Sequence, residues 1–318
     1  KRKVREYYKK YKRNCQCNSH RIYSGASGDF YVDYIPEDMY MCDIDRYLSE
    51  RYLSYYLDNK CYYGRIFDGI AQPKTLAMRI NNIWMDEDYH VISKETAFKY
   101  TIGYDSAVIK AAICSEGGGS VFFADFKSDE SDTDKIANIE GHVRRLSGDV
   151  IIQRYVVQHP DLAFLHPQSL NTVRIVSLLI NDEVVILSRA VKIGVGTSKL
   201  DNATSGGIYC GIEGGRLKKI GSMSNGNVLL KHPDLGYDFE GVKIPSIDKC
   251  DELVKTCHPK LCHNRLVSWD IAIDEKNEAV LIEANLSLTG SVQMQIVNGP
   301  LFGGYTRDIL EEVYATCN

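Results

Sequence analysis

The stretch Val280–Gly290, VLIEANLSLTG, puts an acid and an amide at the end of an otherwise apolar segment. Side chains alternate between the faces of a strand, so Glu283 and Asn285 share one face and Ile282 and Ala284 the other. The longer segment LVSWDIAIDEKNEAVLIEAN reads as a hairpin turning at 274–279. If Ile273 pairs with Val280, Asp270 faces Glu283; a slip by one residue would turn it toward Ile282. Two carboxylates directly opposite each other repel. The flanking Leu266, Val267, Ile271, Ile273, Leu281 and Ile282 argue against a solvated strand. A divalent cation between the acids resolves the conflict. Two carboxylates and one amide oxygen suit Mg2+ or Mn2+, with phosphate oxygens completing the shell.

Other residues are suited to anions. In VIKAAICSEGGGSVFF, Gly117, Gly118 and Gly119 leave backbone N–H groups open to close approach. Ser120 adds a hydroxyl, and Lys110 on the preceding strand adds a compact charge for phosphate. No Gly-Lys-Ser/Thr follows and no helix opens, so this is not a P-loop. Three glycines in a hairpin are by themselves a flexible turn; beside the acidic cluster they point to a nucleoside triphosphate. In NTVRIVSLLINDEVVILSRAVKIG, a tight turn at Asn181–Asp182 would set Arg174 opposite Arg189. That pair calls for a carboxylate or phosphate, unless each arginine has its own partner among the 42 acids. The loop LDNATSGG, with Asn202, Ser205, Gly206 and Gly207, is on sequence alone a turn.

These residues need a scaffold. With 318 residues, 44% hydrophobic and 25% charged, the chain reads as a soluble globular protein able to hold more than one folding unit. A net charge of -4 gives no sign of nucleic-acid binding. No apolar run approaches the roughly 20 residues of a membrane span. The start, KRKVREYYKKYKR, lacks the apolar core of a secretory signal. Ten scattered cysteines suggest reduced thiols and a cytoplasmic location. CQCNSH and CHPKLCH could bind zinc, but match its usual ligand spacing poorly.

Val4, Tyr7, Tyr8 and Tyr11 form one helical stripe. It docks on the core or, alternatively, makes residues 1–13 a peripheral contact with an anionic membrane, at its inner face. Residues 36–70, 91–100, 246–258 and 305–316 also read as helices, the second with Ser93 as N-cap and Glu95 in its first turn. SAVIKAAICSEGGGSVFFADF, DVIIQRYVV and the two hairpins read as strands. Strands joined mainly as hairpins predict largely antiparallel sheets with helices, an α+β fold.

In this order the motifs resemble the ATP-grasp superfamily. LDNKCYYGRIFDGIAQPKT is similar to a first nucleotide lysine before a proline-marked strand, here Lys60 and Pro73. VIKAAICSEGGGS resembles the second nucleotide lysine, Lys110, and a phosphate lid formed by Glu116, Gly117, Gly118, Gly119 and Ser120. IIQRYVV resembles the hinge that holds adenine, with Gln153, Tyr155 and Val156. Arg174 and Arg189 on their strands, Asn202 before a Gly-Gly pair, and Asp270 with Glu283-x-Asn285 resemble ligases that attach glutamate to carboxyl groups. SWDIAI and QIVNGPLFGG are similar to the sugar-transfer-associated branch found beside bacterial polysaccharide genes.

The resemblance runs from about Asp58 to Gly290. It implies an ATP-grasp fold, two α+β subdomains gripping ATP between antiparallel sheets: a helical pre-grasp region over 1–90, a central subdomain over 91–156 and a C-terminal one over 157–318. It implies ATP and Mg2+ as cofactors, with Asp270, Glu283 and Asn285 on the metal and Arg174, Arg189 and Asn202 in catalysis. The implied activity is a carboxylate–amine ligase working through an acyl phosphate, joining an amino acid or amine to a carboxylated sugar or related precursor in polysaccharide biosynthesis. A kinase acting on a sugar or polyol hydroxyl and a non-catalytic nucleotide-binding subunit are the alternatives. Two departures bear on the acceptor. Ser268 stands where D-alanine ligases carry Arg two residues before the metal Asp, and LSLTG replaces a proline-glycine loop. Acceptor choice is expected there, with Gln293 and Gln295 just beyond. Oligomeric state is left open.

Overall fold

Runs of β-branched and aromatic residues, punctuated by Gly, Asn and Asp, fold into two antiparallel sheets. The computed structural model describes residues 1–11, 15, 17–113, 120–199, 201, 206–287 and 290–315. The smaller sheet holds β1 (Thr75–Ile80), β2 (Ile83–Met85), β3 (Ser106–Ala111), β4 (Val121–Asp125) and β5 (Val150–Gln153), in the order β2-β1-β5-β3-β4. The larger holds β6 (Thr172–Ile180), β7 (Glu183–Ile193), β8 (Ile208–Glu213), β9 (Arg216–Met223), β10 (Val228–Leu229), β11 (Leu266–Ile273) and β12 (Ala279–Asn285), in the order β10-β9-β8-β7-β6-β11-β12.

Two β-bulges, each one extra residue in a strand, set the registers that matter. Between β11 and β12, Asp270 pairs with Glu283 but Ile271 with Leu281, so Ile282 is extra. The expected Asp270–Glu283 pairing is present, although Ile273 pairs with Ala279 rather than Val280. Between β6 and β7, the two-residue turn forms at Asn181 and Asp182 with φ of 50° and 62°, as a hairpin of right-handed twist requires. Then Ser177 pairs with Ile186 but Val176 with Ser188, so Leu187 is extra. Beyond it Arg174 faces Ala190, and Arg189 faces Ile175. The expected Arg174–Arg189 pair does not form, because the bulge turns Arg189 onto the opposite face.

One face of the larger sheet, with Val173, Ile175, Val191, Trp269 and Leu281, packs against Cys250 and Val254 of the helix Ile247–Cys257. The other face, with Val176, Leu178 and Ala190, packs against the N-terminal helices and the helices Ser291–Asn298 and Thr306–Ala315. In the smaller sheet, Ile109 and Ile152 pack against Phe98 and Val143 of the helices Lys94–Ile102 and Asp132–Arg144. Ser93 caps the first of these, its hydroxyl accepting from Thr96 N–H at 3.1 Å.

Several expectations change. β1 and β2 belong to the smaller sheet, with β1 against β5, so that subdomain begins before residue 91. The 36–70 stretch is a series of short helical pieces rather than one helix. It breaks where Ser49 bridges to Asn264 and Glu50 N–H donates to His263 O at 3.1 Å. The N-terminal stripe is buried: Val4, Tyr8 and Tyr11 lie in the core, and Tyr8 donates to Tyr34 O at 2.6 Å. That apolar face is therefore already covered by protein. Among the described residues, no helix is long and apolar enough to cross a membrane. Neither Cys/His cluster gathers three metal-ligand atoms among them. His20 instead lies 3.0 Å from Val32 O, and His258 bridges Ser177 and Asn264.

Candidate active site

A cleft lies between the two sheets. Thr172 of β6, Lys192 of β7, Asp270 of β11 and Ile282 and Glu283 of β12 line one side. Val108 and Lys110 of β3, and Val121 and Phe123 of β4, line the other. Gln153, Arg154, Tyr155 and Val156 close one end beside Pro73.

On the larger sheet every buried charge faces an opposite one. Asp270 is opposite Arg174 in the ladder, and the guanidinium grips it through Nε at 2.6 Å and Nη2 at 2.8 Å. Nη1 reaches Ser268 Oγ at 3.4 Å. Lys192 lies 3.2 Å from Asp270 and 3.3 Å from Asp201. Asp201 also accepts from Thr172 N–H at 2.9 Å. Lys60, brought in from the 3-10 turn Lys60–Tyr62, lies 2.7 Å from Glu283. Burial alone would raise both cleft-facing carboxyls, but Arg174 and Lys192 hold Asp270, and Lys60 holds Glu283, below their ordinary values. For Asp201 burial dominates and raises it, Lys192 notwithstanding. Lys60 and Arg174 are raised, since their acidic partners outweigh burial.

The smaller sheet presents a different wall. Lys110 is 7% exposed, and its ammonium has no hydrogen-bond or ion-pair partner among the described residues. Burial, then the charge of Lys60, pushes it down to about 8. Around it are Val108, Val121 and Phe123, and the Phe123 ring lies 5.3 Å from that of Tyr155. Lys199, on the loop after β7, lies 5.5 Å and 5.8 Å from these two rings and 2.6 Å from Asp125, so it joins the two sheets across the mouth.

That loop is pinned from below. His232 lies 2.9 Å from Gly194 O and His166 lies 3.0 Å from Gly196 O. A Cβ on Gly194 would come within 2.2 Å of Ser169 Oγ, so only glycine fits.

The sequence model described as sugar-transfer associated ATP-grasp matches residues 43–309. The chain belongs to that family. No curated protein matches the sequence. Among solved structures, D-alanyl-alanine synthetase A from Vibrio cholerae is 13% identical with a TM-score of 0.44, covering 81% of this chain and 65% of that one. An L-amino acid ligase from Bacillus licheniformis is 15% identical at 0.44, covering 81% and 47%. The biotin carboxylase domain of a Hydrogenobacter thermophilus 2-oxoglutarate carboxylase is 13% identical at 0.45, covering 81% and 45%. The chain thus spans less than two thirds of the length of each.

In this ATP-grasp chain, Lys60, Lys110, Gln153, Tyr155, Val156, Asp270 and Glu283 meet in one cleft. Asn285 shares the Glu283 face and donates its amide to Ser268 O at 3.0 Å. Ser120 caps the end of β3, its carbonyl accepting from Ala111 N–H at 3.0 Å. Glu116, Gly117, Gly118, Gly119 and Asn202 lie outside the described residues. Arg189 is a correction: on the far face, it is bound bidentately by Asp251 at 2.8 and 2.5 Å. Gln295 is another: wholly buried, it clamps the backbone of Ile35 at 2.8 and 3.0 Å and does not face an acceptor. Ile282 also departs from expectation, lining the cleft beside Glu283 because the bulge turns it there.

Sequence reasoning missed Lys192, Asp201, Thr172 and Lys199. The one available signal was alternation, which puts Lys192 on the Ala190 face of β7.

The argument from repulsion also needs correcting. Arg174, Lys192 and Lys60 already offset the Asp270–Glu283 repulsion, so the fold does not demand a divalent cation there. The donor set nevertheless fits one: two carboxylates held ionised side by side, and an amide that commits its nitrogen rather than its oxygen.

Proposed function

We propose that the cleft binds ATP and that the chain is an ATP-dependent carboxylate–amine ligase working through an acyl phosphate. The observation that carries this reading is Lys60 and Lys110 converging with Asp270 and Glu283 on one cleft between two antiparallel sheets. A carboxylate resists attack by an amine because oxide is a poor leaving group. Transfer of the γ-phosphoryl group to its oxygen releases ADP; the amine then attacks the acyl carbon and phosphate departs. Catalysis of such a sequence is mainly positioning and charge neutralisation.

Lys110 and Lys60 bind the phosphates. Val108, Val121, Phe123 and Tyr155 enclose the base, with the backbone of 153–156 as hinge. Asp270, Glu283 and Asn285 would hold Mg2+, whose charge offsets that of the phosphate oxygens. Arg174, fully engaged with Asp270, keeps that carboxylate ionised and fixed rather than binding the acceptor. In this reading the acceptor is a carboxylated sugar or related precursor and the donor an amino acid or amine, in polysaccharide biosynthesis; the sugar-transfer association in the family's description supports the sugar alone.

Hydroxylamine trapping tests the reaction class. With Mg-ATP, a panel of uronic acids and amino acids should include a substrate giving a hydroxamate together with ADP. ADP formed with a phosphorylated hydroxyl and no hydroxamate would make the protein a kinase instead.

A further inference from the structure

β12, which carries Glu283 and Asn285, is an edge strand of the seven-stranded sheet. The outward N–H and C=O groups of a buried edge need partners, or the strand loses definition where it must be accurate. The segment after Lys60 supplies them. Leu281 N–H donates to Ala71 O at 2.9 Å. The Tyr63 hydroxyl accepts from Ala284 N–H at 3.0 Å and donates to Ala284 O at 3.3 Å. One phenol thus acts as both donor and acceptor for the residue between Glu283 and Asn285. Burial raises its pKa well above the usual value, which keeps the proton needed for the second bond.

Tyr63 is itself fixed. It is 4% exposed, its ring meets Phe67 edge-on at 5.1 Å, and its carbonyl accepts from Gln72 at 3.3 Å. Three residues earlier, Lys60 grips Glu283. Side chain and backbone of this part of β12 are therefore held by one short segment.

We propose that Tyr63 is a positioning residue for the nucleotide–metal site, holding the Glu283–Asn285 backbone in place through Ala284. Its relevance to metal and nucleotide rests on the function proposed above; the bracing of β12 can be read without it.

Tyr63→Phe in the full chain removes both bonds and nothing else. Without metal or nucleotide, amide exchange over 283–285 should accelerate at least about tenfold, while 268–270 on β11 stays protected, since an unmade buried hydrogen bond costs about 1–3 kcal/mol. Mn2+–ATP affinity, followed by Mn2+ EPR, should fall about five- to tenfold, the size of one lost hydrogen bond. Leu217→Ala, which thins the same apolar cluster on β9, with four strands between it and β12, should lower Tm but leave both readouts at wild-type values.

Unchanged exchange at 283–285 overturns the proposal. So does local acceleration with Mn2+–ATP affinity within twofold of wild type, which would make Tyr63 a plain brace. An equal affinity loss in Leu217→Ala overturns it as well. Wild-type protein that takes up no Mn2+–ATP instead defeats the proposed function, and the metal role of Tyr63 with it, whatever the exchange data show. Should Tyr63→Phe fail to fold, Tyr63→3-fluorotyrosine keeps the shape and perturbs only the phenol. Weaker Mn2+–ATP binding then supports the proposal and unchanged binding overturns it.

Discussion

The two walls of the cleft handle charge in opposite ways. On the wall of the seven-stranded sheet Arg174, Lys192 and the incoming Lys60 each face a carboxylate, and all of these groups but Glu283 are nearly dry. On the five-stranded sheet Lys110 stands among apolar side chains with no partner among the described residues. Charges paired in advance keep their geometry before a ligand arrives, whereas a desolvated lone cation gains most when an anion comes to it. One wall is thus a fixed template and the other carries unspent affinity.

The strongest way to break the template is Glu283→Gln. With the proposed reaction, turnover should fall about 10^3-fold or more with the fold intact, as ADP release and circular dichroism would report. Asp270→Asn should lose as much activity and stability besides, because Arg174 and Lys192 would then face an amide. Wild-type turnover in either variant would remove the acid pair from the mechanism.

Next comes the contrast between the arginines. Arg174→Ala leaves Asp270 with Lys192 alone and should cost about 3–5 kcal/mol in urea unfolding. Arg189→Ala breaks a pair whose arginine is 31% exposed, and should cost about 1 kcal/mol or less while activity is retained. Equal losses would mean that the far-face pair matters as much as the cleft.

Lys110→Met sharpens the comparison from the other wall. ATP affinity should fall about 10- to 100-fold, the worth of a charge-assisted hydrogen bond. Stability should move the other way at pH 7, since a buried charge is removed. The folded value of Lys110 is about 8 and the ordinary one 10.5. Between these pH values the unfolded chain holds a proton that the folded one has lost. The penalty is therefore full below pH 8 and relieved as pH rises toward 10.5. Wild-type stability relative to Lys110→Met should climb across that window; a flat difference would show that Lys110 is solvated.

The smallest effect expected is at the mouth. Lys199 and Asp125 are substantially exposed, so Lys199→Ala should weaken ATP binding only about two- to fivefold, and less at high salt.

Much of this was legible in the chain, because alternation and turn chemistry are local. The sheets, the Asn181–Asp182 turn and the Ser93 cap follow from neighbouring residues. The two bulges do not. An extra residue leaves no mark in composition: Leu187 and Ile282 look like any apolar strand residue. Reading register outward from the turns therefore fails for Arg189. For Asp270 and Glu283 the bulge itself restored the pairing that an error at Ile273 would have displaced. Lys192, Asp201 and Tyr63 were missed for a different reason, since their roles depend on segments distant in sequence.

Ile282 has a consequence for how this chain tolerates length changes. Loss of a residue elsewhere in β12 would turn the residues on one side of it over and scatter the acids. Loss of Ile282 would leave Leu281 followed by Glu283, with Asp270 still opposite Glu283 and every other side chain on its present face. The apolar surface beside the acids can thus be enlarged or trimmed by one side chain through a single insertion or deletion, without disturbing the acids.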